Sequence, residues 1–214
     1  MLRFIKKKLE VIAMHIVIAF FFVCIIVFSF YSMFGLRLEK TINLINKLAI
    51  PNNVEKNEYK DIKIDKINKK LNIYPNYGDK FGSIEIKNVG IDVVVYHGES
   101  LKILKYGLGH HAGSYFPGEG GTIVVAGHNT YGTFYSLPNV KLNDTILFKT
   151  VYGDYEYRVI NTNILSASLL DKELKINKDK EVLVLYTCYP VDTPGFKNNR
   201  FVVYAELVGD NNEK

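Results

Sequence analysis

Three side chains of this sequence, well separated along the chain, are of the types that an acyl-transfer site needs. Cys188 sits in Leu185-Tyr186-Thr187-Cys188-Tyr189-Pro190 and His128 in Val124-Val125-Ala126-Gly127-His128-Asn129, each at the end of an apolar run. Arg200 opens a third run, Arg200-Phe201-Val202-Val203. A thiolate is a nucleophile, and a neighbouring imidazolium both favours that thiolate and can later protonate an amine leaving group. An arginine can donate hydrogen bonds to the oxyanion of the tetrahedral intermediate. Taken singly, each has a plainer reading: a buried core cysteine, a structural histidine, a surface ion pair. Their shared position at the ends of apolar runs favours the chemical one.

Arginine is scarce here, at four positions among 27 basic residues, and two of those flank an apolar stretch near the amino terminus. A guanidinium kept in so lysine-rich a chain suggests work that an ammonium cannot do. His97, His110 and His111 have no second cysteine or acidic cluster at ligand spacing, so the sequence predicts no metal site. Glu119 and Asp171 read as solvated loop charges.

The elements that must hold these residues are strands. Short β-type runs cover 83–87, 91–97, 122–126, 145–150, 155–161, 182–186 and 201–207. Val151-Tyr152-Gly153-Asp154 reads as a hairpin turn between two of them. Many short strands with little helix indicate an all-β fold, a closed or nearly closed β-barrel or sandwich. Pro190 stops the strand just after Cys188, which places the thiol at a rim. Gly127 gives the backbone freedom to turn and present the imidazole of His128. The twelve residues from Cys188 to Arg200 let two neighbouring strands run antiparallel and bring the arginine back beside the cysteine. A short helix is expected within 166–176, starting at Ser166.

Residues 11–36 carry no Asp, Glu, Lys or Arg. That is long enough to cross the roughly 30 Å hydrocarbon layer, with Arg3, Lys6, Lys7 and Lys8 favouring a cytoplasmic amino terminus. A cleaved signal peptide is the competing reading, but Phe30, Tyr31, Met33 and Phe34 occupy the place of a small-x-small cleavage site. The expected organisation is a basic cytoplasmic tail at 1–10, a transmembrane anchor at 11–36, a stalk at 37–75, a catalytic β-domain at 76–208 and a polar tail at 209–214. Within the stalk, the spacing of Leu38, Ile42, Ile45 and Leu48 predicts a juxtamembrane helix ending before Pro51, and 58–71 a second, charged helix. The only other cysteine, Cys24, lies inside the apolar stretch, which leaves Cys188 a lone thiol on an exported domain. The net charge of +5 is mild and its lysines are dispersed among acids, so nucleic acid is not an expected partner.

Over most of 80–208 the sequence resembles the sortases, membrane-anchored cysteine transpeptidases. Their Thr-Leu-x-Thr-Cys motif appears as Val184-Leu185-Tyr186-Thr187-Cys188, departing at its first position. Gly107-Leu108-Gly109-His110-His111-Ala112-Gly113-Ser114, Pro117-Gly118-Glu119-Gly120-Gly121 and Ala126-Gly127-His128 resemble the segment leading to the family's histidine. The resemblance implies an eight-stranded closed barrel with one or two short helices, and the catalytic positions fall on His128, Cys188 and Arg200. It further implies attack by Cys188 after the threonine of an LPxTG-like signal in secreted proteins, and resolution of the thioacyl enzyme by an amine of a peptidoglycan precursor. Thr187 would help position the substrate, and Ala167, Leu169 and Leu170 would line one wall of the signal groove. The short connection after Cys188, with Tyr189-Pro190, looks most like class D. Calcium-activated members place several acids before the histidine, whereas 114–127 offers Glu119 alone, so no cofactor is expected. The rivals are a hydrolytic cysteine peptidase, although papain-like enzymes place cysteine before histidine in the chain, and a membrane-tethered noncatalytic β-domain such as an adhesin or assembly factor.

Overall fold

The computed structural model describes residues 12–32 and 61–209, apart from 66, 194 and 196. The chain divides into two units, Met1–Asn46 and Lys47–Lys214. In the first, α1 (Ile12–Ser32) is a 21-residue apolar helix, long and apolar enough to cross a membrane. At 1.5 Å per residue it extends about 31 Å, the thickness of the hydrocarbon layer. The juxtamembrane helix expected at 38–48 lies outside the described residues.

The second unit is a closed barrel. Its strands are β3 (Lys80–Ile86), β4 (Ile91–His97), β5 (Leu108–His110), β6 (Thr122–Gly127), β7 (Thr145–Thr150), β8 (Gly153–Ser166), β9 (Val182–Tyr189) and β10 (Asn199–Leu207). They close in the order β10-β8-β7-β3-β4-β5-β6-β9. Pairing is antiparallel except for β4 with β5 and β6 with β9, which run parallel. The eight-stranded closed barrel is therefore as expected, and the hairpin at Val151–Tyr152 joins Thr150 to Gly153. Strand β5 escaped the pattern because it has three residues, one of them glycine. Helix α2 (Leu101–Leu104) follows β4, and α3 (Leu170–Glu173) is the helix expected in the long connection before β9. It begins later than Ser166 because β8 runs on through that residue, paired to Asn199.

Alternation along the strands separates two apolar faces. Ile123, Val125, Leu183, Leu185, Phe201 and Val203 point into the barrel core. Val124, Val184 and Val202 point outward, where Leu170 of α3 covers them.

The segment before the barrel differs from expectation. Residues 61–71 contain a two-stranded hairpin, β1 (Ile64–Asp65) and β2 (Lys70–Leu71), not a charged helix. The Asp65 carboxylate accepts hydrogen bonds from the backbone N–H groups of Ile67 and Asn68, a local alternative to helix that aspartate favours. Ile62 and Leu71 are each 4% exposed and belong to the barrel core, so this part of the predicted stalk is folded onto the domain.

Candidate active site

Residues at the ends of β6, β9 and β10 build the site. Cys188 and Arg200 are direct Cα partners in the antiparallel β9–β10 ladder. On the other side of β9, Gly127 is the parallel partner of Thr187, so His128 and Cys188 each follow a paired residue by one step. Parity then fixes the faces: Cys188 shares the outward face of Val184, and Arg200 that of Val202. Leu165 of β8 pairs with Arg200, which extends the Cys188–Arg200 row onto a third strand. His128, Cys188 and Arg200 are all half-buried. Cys188 and Arg200 thus face each other on the outward side at the barrel rim, and His128 follows the Gly127–Thr187 pair by one residue on the neighbouring strand.

Each is held from below. Thr187 is 1% exposed and its hydroxyl donates to the Gly127 carbonyl at 2.9 Å, locking β9 to β6 one residue before Cys188. Thr187 therefore lies beneath the rim, inside the barrel, rather than on the groove surface. Gly127 does not adopt a positive φ. It is needed because a Cβ there would stand 2.5 Å from the Phe134 ring and 2.7 Å from Leu108 Cδ2. Phe134 is fully buried and its N–H donates to the His128 carbonyl at 3.0 Å, joined there by the Thr133 hydroxyl at 2.7 Å. Nη1 of Arg200 donates to the Lys197 carbonyl at 3.0 Å and the Asn199 carbonyl at 2.9 Å, which anchors the guanidinium to the β9–β10 connection. In the same connection Lys197 is buried, its Nζ bonded to the carbonyl and hydroxyl of Thr193.

The three proposed groove residues divide. Leu170 is 6% exposed and spent on the outer apolar cluster, whereas Leu169 stands 46% exposed. Ala167 is half-buried and its N–H donates to the Asn198 carbonyl at 2.7 Å, two residues before Arg200.

Other polar residues serve the fold. Glu119 is not a solvated loop charge: it is 4% exposed and accepts from the Tyr74 hydroxyl at 2.6 Å and from the N–H groups of Leu71 and Phe116. That contact fastens the segment after β2 to the barrel, and burial together with the carboxylate pushes the Tyr74 phenol up to about 12. The side chain of Asp171 lies outside the described residues. His110 is fully buried, its Nδ1 3.1 Å from Nδ1 of His97 and its Nε2 2.9 Å from the Tyr115 carbonyl. Burial drives its pKa down to about 3.

Sequence and structure comparisons agree with this geometry. Residues 84–208 match the sortase domain model, which is more than half of the chain. The chain belongs to the sortase family.

Among curated relatives, Sortase D of Bacillus subtilis is 28% identical over 148 residues, covering 67% of this sortase and 72% of that protein. A D-type sortase transpeptidase of Clostridium perfringens superposes with a TM-score of 0.57 at 26% identity, over 64% of this chain and 83% of that one. Sortase A of Corynebacterium diphtheriae gives 0.56 at 27% identity, over 64% of each chain. The likeness to class D expected from the short connection after Cys188 accords with the first two. Membership in a family of cysteine transpeptidases sets aside the noncatalytic β-domain and the papain-like peptidase. The residues that the sequence reading passed over are Tyr186 and Leu165, which share the outward face of the site. Counting in twos back from Cys188 finds the first of them.

Proposed function

We propose that this sortase cleaves an LPxTG-like sorting signal of secreted proteins after its threonine and transfers the acyl group to an amine of a peptidoglycan precursor. The observation carrying the proposal is the three-strand register, which aligns Cys188 with Arg200 and sets His128 one step beyond the Gly127–Thr187 pair. In the first half-reaction the Cys188 thiolate attacks the threonine carbonyl carbon, and the oxyanion receives N–H donors from Arg200. The C–N bond then breaks as His128 gives its proton to the departing amine, leaving a thioester on Cys188. In the second, the acceptor amine attacks the thioester carbon, His128 takes its proton, and the C–S bond breaks to restore the thiolate.

Thr187 acts in this scheme as a positioning residue through its bond to Gly127, and Ala167 and Leu169 flank the acyl end of the groove. Helix α1 serves as a single-span anchor, and the basic residues before it place the catalytic domain outside the cytoplasm. Incubation of residues 37–214 with an LPxTG-type peptide, followed by mass spectrometry of the intact protein, tests the first half-reaction. A mass increase equal to the acyl fragment, mapped to Cys188 and lost in Cys188→Ala, is expected. Peptide cleavage by the alanine variant at the wild-type rate contradicts the proposal.

A further inference from the structure

On the outward face, one pleat below Cys188, lies a polar cluster that the transfer reaction does not use. Tyr186 precedes Cys188 by two residues and shares its outward face, between Ala126 of β6 and Val202 of β10. Its ring packs on the outer apolar cluster, and its hydroxyl donates to Oε2 of Glu99 at 3.2 Å. The other carboxylate oxygen, Oε1, lies 2.5 Å from Nδ1 of His111. Glu99 comes from the turn between β4 and α2, and His111 from the residue after β5, whose N–H donates to the Val124 carbonyl at 2.9 Å. The placement is rigid. A Cβ on Gly109 would stand 2.6 Å from the Gly98 carbonyl and 2.9 Å from Glu99 Cα, so β5 and the turn meet only because that residue is glycine. The side chains of His111 and Glu99 nevertheless remain 39% and 33% exposed.

The spacing gives this cluster a substrate position. Two residues of strand rise about 6.6 Å, the same rise as two residues of an extended peptide lying over the strand. The departing amine leaves past His128 at the rim, while the acyl segment stays bonded to Cys188 and must find its contacts on that outward face. Its second residue before the scissile bond, the variable position of an LPxTG-like signal, then lies close to Tyr186 and Glu99.

Resting on the sortase reading, we propose that Glu99, held by His111 and Tyr186, is a specificity-determining residue that selects a cationic side chain at that position of the sorting signal. A carboxylate one-third exposed at a groove wall attracts an ammonium or guanidinium and repels a second carboxylate. A purely structural clamp between the β4–α2 turn and β9 would instead affect all donors alike.

The test is acylation of Cys188 by LPxTG-type peptides carrying Lys, Gln or Glu at the second residue before the scissile bond, in wild type and in Glu99→Gln and Glu99→Asp. At that position wild type should favour Lys over Glu by roughly tenfold in kcat/KM, a difference of about 1.4 kcal/mol. Glu99→Gln should reduce that ratio to about twofold or less, and Glu99→Asp should retain part of it. An unchanged ratio in Glu99→Gln, or equal slowing of all three peptides, overturns the proposal while leaving the sortase reading intact. If no peptide acylates Cys188, both fall together.

Discussion

Cys188 and Arg200 face each other as Cα partners across β9 and β10, and nothing but the short connection between those strands separates them in sequence. The pairing sets the reach of the guanidinium by strand geometry rather than by a loop. Nη1 is already bonded to the carbonyls of Lys197 and Asn199, so the orientation of the guanidinium is fixed before any substrate arrives.

Replacement of that arginine should therefore cost more than its charge. In Arg200→Lys the ammonium keeps the charge but loses the planar fork that bonds the connection and the oxyanion together. A fall in kcat of about 10²–10³ is expected, with the thermal midpoint shifted by only a few degrees. Steady-state kinetics beside a melting curve check it, and a lysine variant with near-wild-type kcat would show that Arg200 does not meet the transition state.

Thr187 and Gly127 make the rim by a buried hydrogen bond and a tight approach. Thr187→Val keeps the shape but leaves the Gly127 carbonyl without its donor, at a cost of about 1–3 kcal/mol, whereas Thr187→Ser retains the bond. Gly127→Ala forces a methyl against Phe134 and Leu108, costing roughly 1–3 kcal/mol. Urea unfolding should rank both below wild type, with the serine variant above the valine one. Activity should fall in the same order, because the displaced strands carry His128 and Cys188.

His110 should make the domain sensitive to acid. Burial keeps its imidazole neutral with a pKa of about 3, against 6.5 for an exposed histidine. Its ring faces His97, Ser114 and the Tyr115 carbonyl, with Phe81 in a T-shaped contact and Phe116 tilted against it, and burial lowers His97 as well. Between those two pKa values the unfolded chain binds the extra proton. The contribution is thus fully present above pH 6.5 and is lost as pH falls toward 3. Unfolding free energy should drop by roughly 2 kcal/mol from pH 7.5 to pH 5 on account of this group. His110→Gln should flatten that slope; an unchanged slope would place the acid sensitivity elsewhere.

Glu181 is buried just before β9, where it accepts from the N–H groups of Gly118 and Gly120 and from the Tyr157 hydroxyl. Glu181→Ala strands all three donors and should cost about 2–4 kcal/mol, read as a lower thermal midpoint. Since Glu181 stands at the far end of β9 from Cys188, kcat of the protein that remains folded should be close to that of wild type.

The strands that carry the candidate site are more legible in the sequence than the segments around them. Cys188, His128 and Arg200 sit at the ends of short apolar β-type runs, so the strand ends are legible from residue types alone. The strands β7, β9 and β10 follow from the same β-type runs. Strand β5 did not, because Leu108-Gly109-His110 is too short to show a period, and its pairing depends on β4 and β6. Glu119 looked like a loop charge because the donors that bury it, Tyr74 and the backbone of Leu71, lie more than forty residues earlier. Gly127 was read as a turn residue when its reason is the Phe134 ring, a contact that only the folded loop creates. Local pattern carries strands and their ends; contacts between distant segments need the barrel.

The central claim is that Cys188 forms an acyl enzyme which an amine resolves. Its most direct test is to incubate the wild-type domain and Cys188→Ala with an LPxTG-type peptide and hydroxylamine, and to quantify the threonine hydroxamate. The account predicts hydroxamate from wild type in place of the free acid, and none from the alanine variant. Hydroxamate formed by both proteins alike, or free acid alone from wild type at saturating hydroxylamine, would contradict it.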